Sequence, residues 1–268
     1  MDTSSSACVP STPGHSGVSL AALLLAAWRV WRSRPATFVL LMGIPCAALL
    51  IGALTMYSIV IIRYPPGADL REIWIGMGLP SRLFVIAVFL GSLAAHYRAL
   101  SASVFAAQEL SCGRPVGFWR AVRSVRRKQL RLFWIVTLVS AFAGPLNLIL
   151  FPLLAFLTAP ALPVAILENR PAFEAIKRGN ALAKGAHGKI AWLVVAWLGL
   201  AFAAAYVLVQ FLVMLQDRFG KAWFTRPVPL LGLWAVGLIA QFFIVALTVN
   251  YLHQREREPR IELPLPAI

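Results

Sequence analysis

The residues that could take part in chemistry are few and widely spaced in this chain of 268 residues. No two of its ten Asp and Glu residues form a close pair inside an apolar segment. Its four histidines fit neither the HExxH motif nor the His and Cys spacing of zinc sites, and the sequence contains no Walker loop, GxSxG or dinucleotide fingerprint. We therefore predict no catalytic residues, no metal ligands, no cofactor and no enzymatic activity.

One pair of ionisable residues stands out because it interrupts an apolar segment. His96 and Arg98 lie within 83–107, which contains no other charged residue. A charged side chain inside a membrane span costs at least about 2.5–3.5 kcal/mol on insertion scales, so it usually faces a partner or a water-filled cavity. We predict an anion or lipid-headgroup site at His96 and Arg98, with Glu109 or Glu168 as counter-charges. Alternatively, Arg98 extends to the membrane interface and binds nothing.

The composition indicates the environment of these residues. The chain is 60% hydrophobic and 13% charged, with a mean hydropathy of +0.77, whereas soluble domains carry about 25% charged residues. A single soluble core could not bury this much apolar surface, so we predict a membrane protein. Its three cysteines are too few and too far apart for a disulfide framework.

Apolar runs predict an all-α polytopic membrane helical bundle of about six transmembrane helices, because one span needs about 20 residues. We place the spans at 35–62, 83–107, 132–148, 152–167, 190–216 and 227–252. Pro145 and Pro152 interrupt the run at 132–167, which forms either two short spans or a re-entrant hairpin. We read 1–18 as a disordered N-terminal tail, 19–255 as the membrane domain and 256–268 as a cytoplasmic tail.

The distribution of positive charge predicts the orientation. The formal net charge is +15, and this topology places eighteen of the 25 Lys and Arg residues on one side of the membrane and six on the other. By the positive-inside rule, the eighteen and both termini lie in the cytoplasm, which indicates a bacterial inner-membrane protein. Since these residues flank apolar spans, we expect anionic membrane lipids rather than nucleic acid as the partner.

The membrane domain also shows a threefold internal repeat, in which a basic amphipathic helix precedes an apolar hairpin. In the second unit, Phe118, Val122 and Val125 form one apolar stripe. Glu109 and Glu168 occupy matching positions just before an Arg-Pro pair in adjacent units. The basic residues of the three predicted interfacial helices are Arg29, Arg32, Arg34, Arg120, Arg123, Arg126, Arg127, Lys128, Arg131, Lys177, Arg178 and Lys184.

Two segments resemble a known family. The stretch FLTAPALPVAILENRPAFEAIKRGNALAKGAHGKIAWLVVAWLGLAF, together with LLLAAWRVWRSRPATFVLLMG, is similar to the membrane domain fused to some bacterial glycerophosphodiester phosphodiesterases. That family includes stand-alone membrane proteins. The resemblance covers about 19–255 and implies the fold and topology, although the Trp usual near Asn180 and His187 is absent. It does not imply catalysis, because the family's chemistry resides in a separate soluble domain.

Three functions remain open. The first is a non-enzymatic membrane protein that binds, senses or helps handle phospholipid at the cytoplasmic leaflet. The second is a scaffold or assembly factor for another membrane protein. The third is a small-solute transporter that uses the Pro-broken region at 144–163. Whichever holds, we expect the amides within the predicted spans to tie helices together rather than to bind substrate; these are Asn147, Gln210, Gln241 and Asn250.

Overall fold

The computed structural model describes residues 19–45, 47, 52, 75–126, 159–184, 186–219 and 228–257. These residues form helices and the turns between them, with no β-strand, so the all-α prediction is confirmed for this part of the chain. Several predicted segments lie outside it: the tail at 1–18, most of the first span after residue 45, the span at 132–148, residues 152–158 of the next span, Arg127, Lys128, Arg131 and residues 258–268. The helices are α1 (Leu20–Ser33), α2 (Pro35–Pro45), α3 (Leu79–Ser111), α4 (Phe118–Ser124), α5 (Ala161–Leu167), α6 (Ala172–Leu182), α7 (His187–Phe219) and α8 (Val228–Glu256).

Within the described residues, three helical segments are long and apolar enough to cross a membrane: Leu79–Ser111, His187–Phe211 and Gly237–Glu256. The prediction of one helix through His96 and Arg98 is confirmed, because α3 is continuous over 33 residues. The predicted spans at 190–216 and 227–252 correspond to α7 and α8. Helix α2 is the described start of the predicted first span.

The two longest helices are each divided into an exposed half and a buried half. In α3 the large side chains of Leu83, Phe84 and Leu90 are exposed, whereas the small residues from Ala99 to Ala107 are buried. Helix α7 has the opposite order, with its buried half first. Ile190, Leu193 and Val194 near its start are buried, and large apolar side chains are exposed from Val195 to Met214. Each helix is about 50 Å long at 33 residues, well beyond the roughly 30 Å of a hydrocarbon core.

Helix α8 holds the buried halves together, since it contacts α1, α3, α5, α6 and α7. The Nε2 of Gln241 donates a 2.8 Å hydrogen bond to the Oγ of Ser103, and both residues are fully buried. This bond joins α8 to α3, as we predicted for a buried amide within a span. The end of α3, the start of α7 and the end of α8 therefore lie on one side of the molecule.

The short helices pack around the buried halves of the long helices, and small residues form part of these contacts. The buried faces carry Leu23 and Ala27 in α1, Ala121 in α4, and Ala175 and Gly179 in α6. A Cβ added at Gly179 would lie 2.8 Å from the backbone nitrogen of Ala161, so α6 approaches the start of α5 more closely than a side chain would allow. The predicted apolar stripe of α4 packs against the core, although the helix itself ends at Ser124.

Candidate functional site

Arg98 lies at the wall of a cavity of about 410 Å³ between α2, α3 and α4. This volume is within the range of about 300–1,000 Å³ that is typical of small-molecule sites. The other residues that line the cavity are Leu41, Ile44, Pro45, Gly91, Ala94, Ala95, Ala99, Phe118, Trp119 and Val122. Arg98 is therefore the one charged side chain among the described residues that line this cavity, which we call the Arg98 cavity.

The guanidinium of Arg98 has unused hydrogen-bonding capacity. Its Nε is buried and has no hydrogen-bond partner among the described residues, and none of the ion pairs between those residues includes Arg98. A buried donor without a partner costs about 1–3 kcal/mol, and more when it is charged. An anionic ligand in the cavity would remove this cost.

His96 does not share the cavity with Arg98. Residues two positions apart on a helix do not face each other, and the His96 ring lies edge-on to Tyr97 with ring centroids 6.3 Å apart. The structure thus separates the two residues that the sequence had grouped into one site, and it leaves Arg98 alone at the cavity.

Glu109 lies in the last turn of α3, just before the chain reverses. The backbone N–H of Gly113 donates to Leu110 O at 3.0 Å, and that of Arg114 donates to Glu109 O at 2.9 Å, which is the Schellman pattern of a helix end. Gly113 has a φ of +69°, and this left-handed conformation favours glycine. The turn returns the chain to the side of α3, where α4 begins.

Two arginines engage the carboxylate of Glu109 at this turn. Arg114 Nη1 lies 3.5 Å from Oε1, and Arg120 Nη2, from α4, lies 3.4 Å from Oε2. The Glu109 side chain is 9% exposed, whereas those of Arg114 and Arg120 are 49% and 62% exposed. We call this group of three residues the first elbow.

Glu168 forms a second group of the same kind after α5. Its Oε2 lies 3.0 Å from Arg170 Nε and 3.5 Å from the Nε of Arg178, which comes from α6. Its Oε1 accepts a 2.9 Å hydrogen bond from Tyr251 Oη of α8. Asn169, directly after the glutamate, has a φ of +60°. We call Glu168, Arg170, Arg178 and Tyr251 the second elbow.

Neither glutamate acts as a counter-charge to Arg98 in the contacts of the described residues. Each instead binds arginines of its own turn and of the following helix. The sequence did give a partial signal, since each glutamate precedes an Arg-Pro pair, but it did not identify Arg114, Arg170 or Tyr251 as partners.

The other predicted basic residues lie at the surface. Arg178 is half-buried against Glu168. Among the described residues of the predicted interfacial helices, those with exposed side chains are Arg29, Arg32, Arg34, Arg120, Arg123, Arg126, Lys177 and Lys184.

Two further observations concern cysteines and metals. Cys112, which follows α3, is disulfide-bonded; the cysteine spacing had not suggested this bond. No three His, Cys, Asp or Glu side chains of the described residues converge closely enough to hold a metal ion.

Comparison of the chain with protein-family models, curated proteins and solved structures gave no match. The resemblance to the membrane domain of glycerophosphodiester phosphodiesterases therefore remains a hypothesis that rests on the residues quoted above.

Proposed function

We propose that this chain is a non-enzymatic multi-pass protein of the bacterial cytoplasmic membrane that binds anionic phospholipid at the cytoplasmic leaflet. The observation that carries the proposal is the unpaired guanidinium of Arg98 at the wall of an otherwise apolar cavity. A guanidinium binds two oxygens of one phosphate in parallel. The apolar walls suit the hydrocarbon part of the same ligand.

The position of Arg98 along α3 supports a headgroup contact. From Leu79 to Arg98 there are 20 residues, which span about 30 Å, the thickness of the hydrocarbon core. The exposed apolar half of α3 lies within this segment. The exposed stretch of α7 from Val195 to Met214 also has 20 residues. If these stretches face lipid, Arg98 lies at the level of the headgroups, not at the membrane centre.

The basic helices support the choice of an anionic lipid. The exposed arginines and lysines belong to α1, α4 and α6, and each of these helices packs against α3 or α8. Each basic residue near an anionic surface contributes about 1 kcal/mol to membrane attraction. We propose that these three helices rest at the interface and that the whole chain has about six spans.

We propose a cytoplasmic location for the side of the membrane on which these helices rest and for both termini, because it carries the larger number of basic residues. The disulfide of Cys112 argues in the opposite direction, since disulfides are rare in the cytosol. We give more weight to the eighteen basic residues than to one bond. Reporter fusions at Arg123 and at the C-terminus test the orientation: cytoplasmic activity at both supports it, and periplasmic activity at either contradicts it.

The lipid proposal is tested by native mass spectrometry of the detergent-purified protein, with Arg98→Gln compared to Arg82→Gln. Arg82 is a matched control, because it lies 16 residues away on the same helix and donates to Ile75 O instead of lining the cavity. We expect the wild type and R82Q to retain an anionic phospholipid. R98Q should retain at least about tenfold less, since a charge-assisted hydrogen bond contributes about 1.5–3 kcal/mol. Equal retention by R98Q, or equal retention of neutral lipids, would contradict the proposal.

One observation favours the scaffold as a second candidate. Helix α7 exposes large apolar side chains, including Phe202, Tyr206 and Phe211, and its extensive contacts with other described helices are confined to α8. Such a face suits lipid, but it also suits an apolar helix of another membrane protein. Stable, stoichiometric co-purification of a membrane protein that is lost on Phe202→Ala would support the scaffold.

A further inference from the structure

We infer that the Arg98 cavity holds an acyl chain, whose anionic headgroup binds Arg98. This inference rests on the proposed function and specifies its ligand. The cavity of about 410 Å³ is in the size range of small-molecule sites. Its lining follows α3 from Gly91 to Arg98, so it accepts a chain that lies along this helix.

The walls of the cavity suit a chain, not a polar solute. Leu41, Ile44 and Pro45 of α2 form one side, and Phe118 and Val122 of α4 form another. None of these side chains offers a hydrogen bond; among the described lining residues, the side chains that do are Arg98 and Trp119. A sugar placed here would lose most of its hydrogen bonds to water without replacement, whereas each buried methylene improves binding about fourfold.

The small residues of α3 provide the space. Gly91, Ala94 and Ala95 face the cavity, and a Cβ added at Gly91 would meet no atom within 4 Å. Larger residues at these positions would occupy the volume that we assign to the chain.

The order of residues along α3 gives the chain a direction. Gly91 precedes Arg98 by seven residues, which is about 10 Å along the helix. Gly91 lies on the part of α3 with exposed apolar side chains, and Arg98 lies where the buried part begins. A headgroup at Arg98 therefore places its chain along α3 toward Gly91 and the hydrocarbon core, as in a membrane lipid.

The test fills the cavity without touching Arg98. In Gly91→Leu the added side chain has open space to occupy, so the fold is retained. Gly199→Leu is the matched control, because a Cβ there also meets no atom within 4 Å and Gly199 does not line the cavity. Native mass spectrometry measures how much of each anionic lysophospholipid the protein retains from an equal mixture with chains of about 10 to 18 carbons.

We expect retention by the wild type and G199L to rise with chain length up to the length that fills the cavity. In G91L this length should fall by about four carbons, the size of the added side chain, and retention of the lipid that the wild type prefers should fall at least about tenfold. Retention that depends on Arg98 but not on chain length or Gly91 would overturn this inference and leave the proposed function standing. Retention that is independent of Arg98 would overturn both.

A second arm of the experiment distinguishes two sources of the chain. Diacyl phospholipids of the same headgroup are offered in place of lysophospholipids. If G91L also lowers their retention, the cavity takes one chain of a membrane phospholipid while the other stays in the bilayer. If diacyl lipids are not retained through Arg98, the ligand is a single-chain anionic amphiphile. If they are retained equally by wild type and G91L, the cavity does not hold the chain, and the inference is wrong.

Discussion

The first and second elbows consist of similar parts in two segments of the chain. In both, a glutamate lies at or near the end of a helix, the following turn contains a residue with positive φ, an arginine precedes a proline, and a second arginine reaches back from the following helix. The glutamate and this second arginine are 11 residues apart in the first elbow and 10 in the second. The corresponding pairs are Glu109 and Glu168, Gly113 and Asn169, Arg114 and Arg170, Arg120 and Arg178.

The two elbows differ in how firmly they hold the following helix. Glu168 binds two arginines and also accepts a hydrogen bond from Tyr251 of α8, and the Arg178 side chain is only 30% exposed. Glu109 has no bond to α8 in the described residues, and its partner Arg120 is 62% exposed. Ion pairs of such exposed side chains contribute about 0–1 kcal/mol. The second elbow therefore fixes α6 to the core, while the first holds α4, a wall of the Arg98 cavity, more weakly.

The largest effect should come from removing the glutamate of the second elbow. Glu168→Ala leaves Arg178 half-buried and Tyr251 buried without their shared acceptor, so we expect a loss of about 3 kcal/mol in the free energy of unfolding. Glu109→Ala is the matched change in the first elbow and should cost about 1 kcal/mol or less. Thermal unfolding in detergent compares them. Equal losses would show that the elbows are equally rigid.

The next effect concerns the close approach of α6 to α5. In Gly179→Ala, the new Cβ would lie 2.8 Å from backbone atoms of Pro160 and Ala161, which cannot move aside easily. Overpacking of this kind costs about 1–3 kcal/mol, so we expect about 2 kcal/mol. Gly117 is the N-cap of α4, close to the first elbow, and a Cβ there meets nothing within 4 Å. Gly117→Ala should therefore cost only about 0.5 kcal/mol, from the preference for glycine over alanine at an N-cap, and a loss as large as that of Gly179→Ala would remove this contrast between the two helices.

The elbows also show which features a sequence can predict. The continuous helix through Arg98 was predictable, because a long apolar run with two ionisable residues has few alternatives to a single helix. The matching positions of Glu109 and Glu168 were visible as a pattern. Their partners were not, since the bond between Glu168 and Tyr251 joins residues 83 positions apart and depends on how α8 packs. The separation of His96 from Arg98 follows from helix geometry alone, because residues two positions apart on a helix do not face each other. Their spacing in the sequence was therefore enough to predict it.

The smallest effect tests that long-range bond directly. Tyr251→Phe removes only the hydroxyl that donates to Glu168, and Glu168 keeps both arginines, so we expect a loss of about 1 kcal/mol. Because the two residues share one bond, Y251F should cost almost nothing in the Glu168→Ala background, while its cost should be unchanged in Glu109→Ala. A double-mutant cycle of unfolding measurements in detergent gives these values. If Y251F cost the same in all three backgrounds, α8 would not hold the second elbow through this bond, and the greater rigidity of that elbow would rest on the half-buried Arg178 alone.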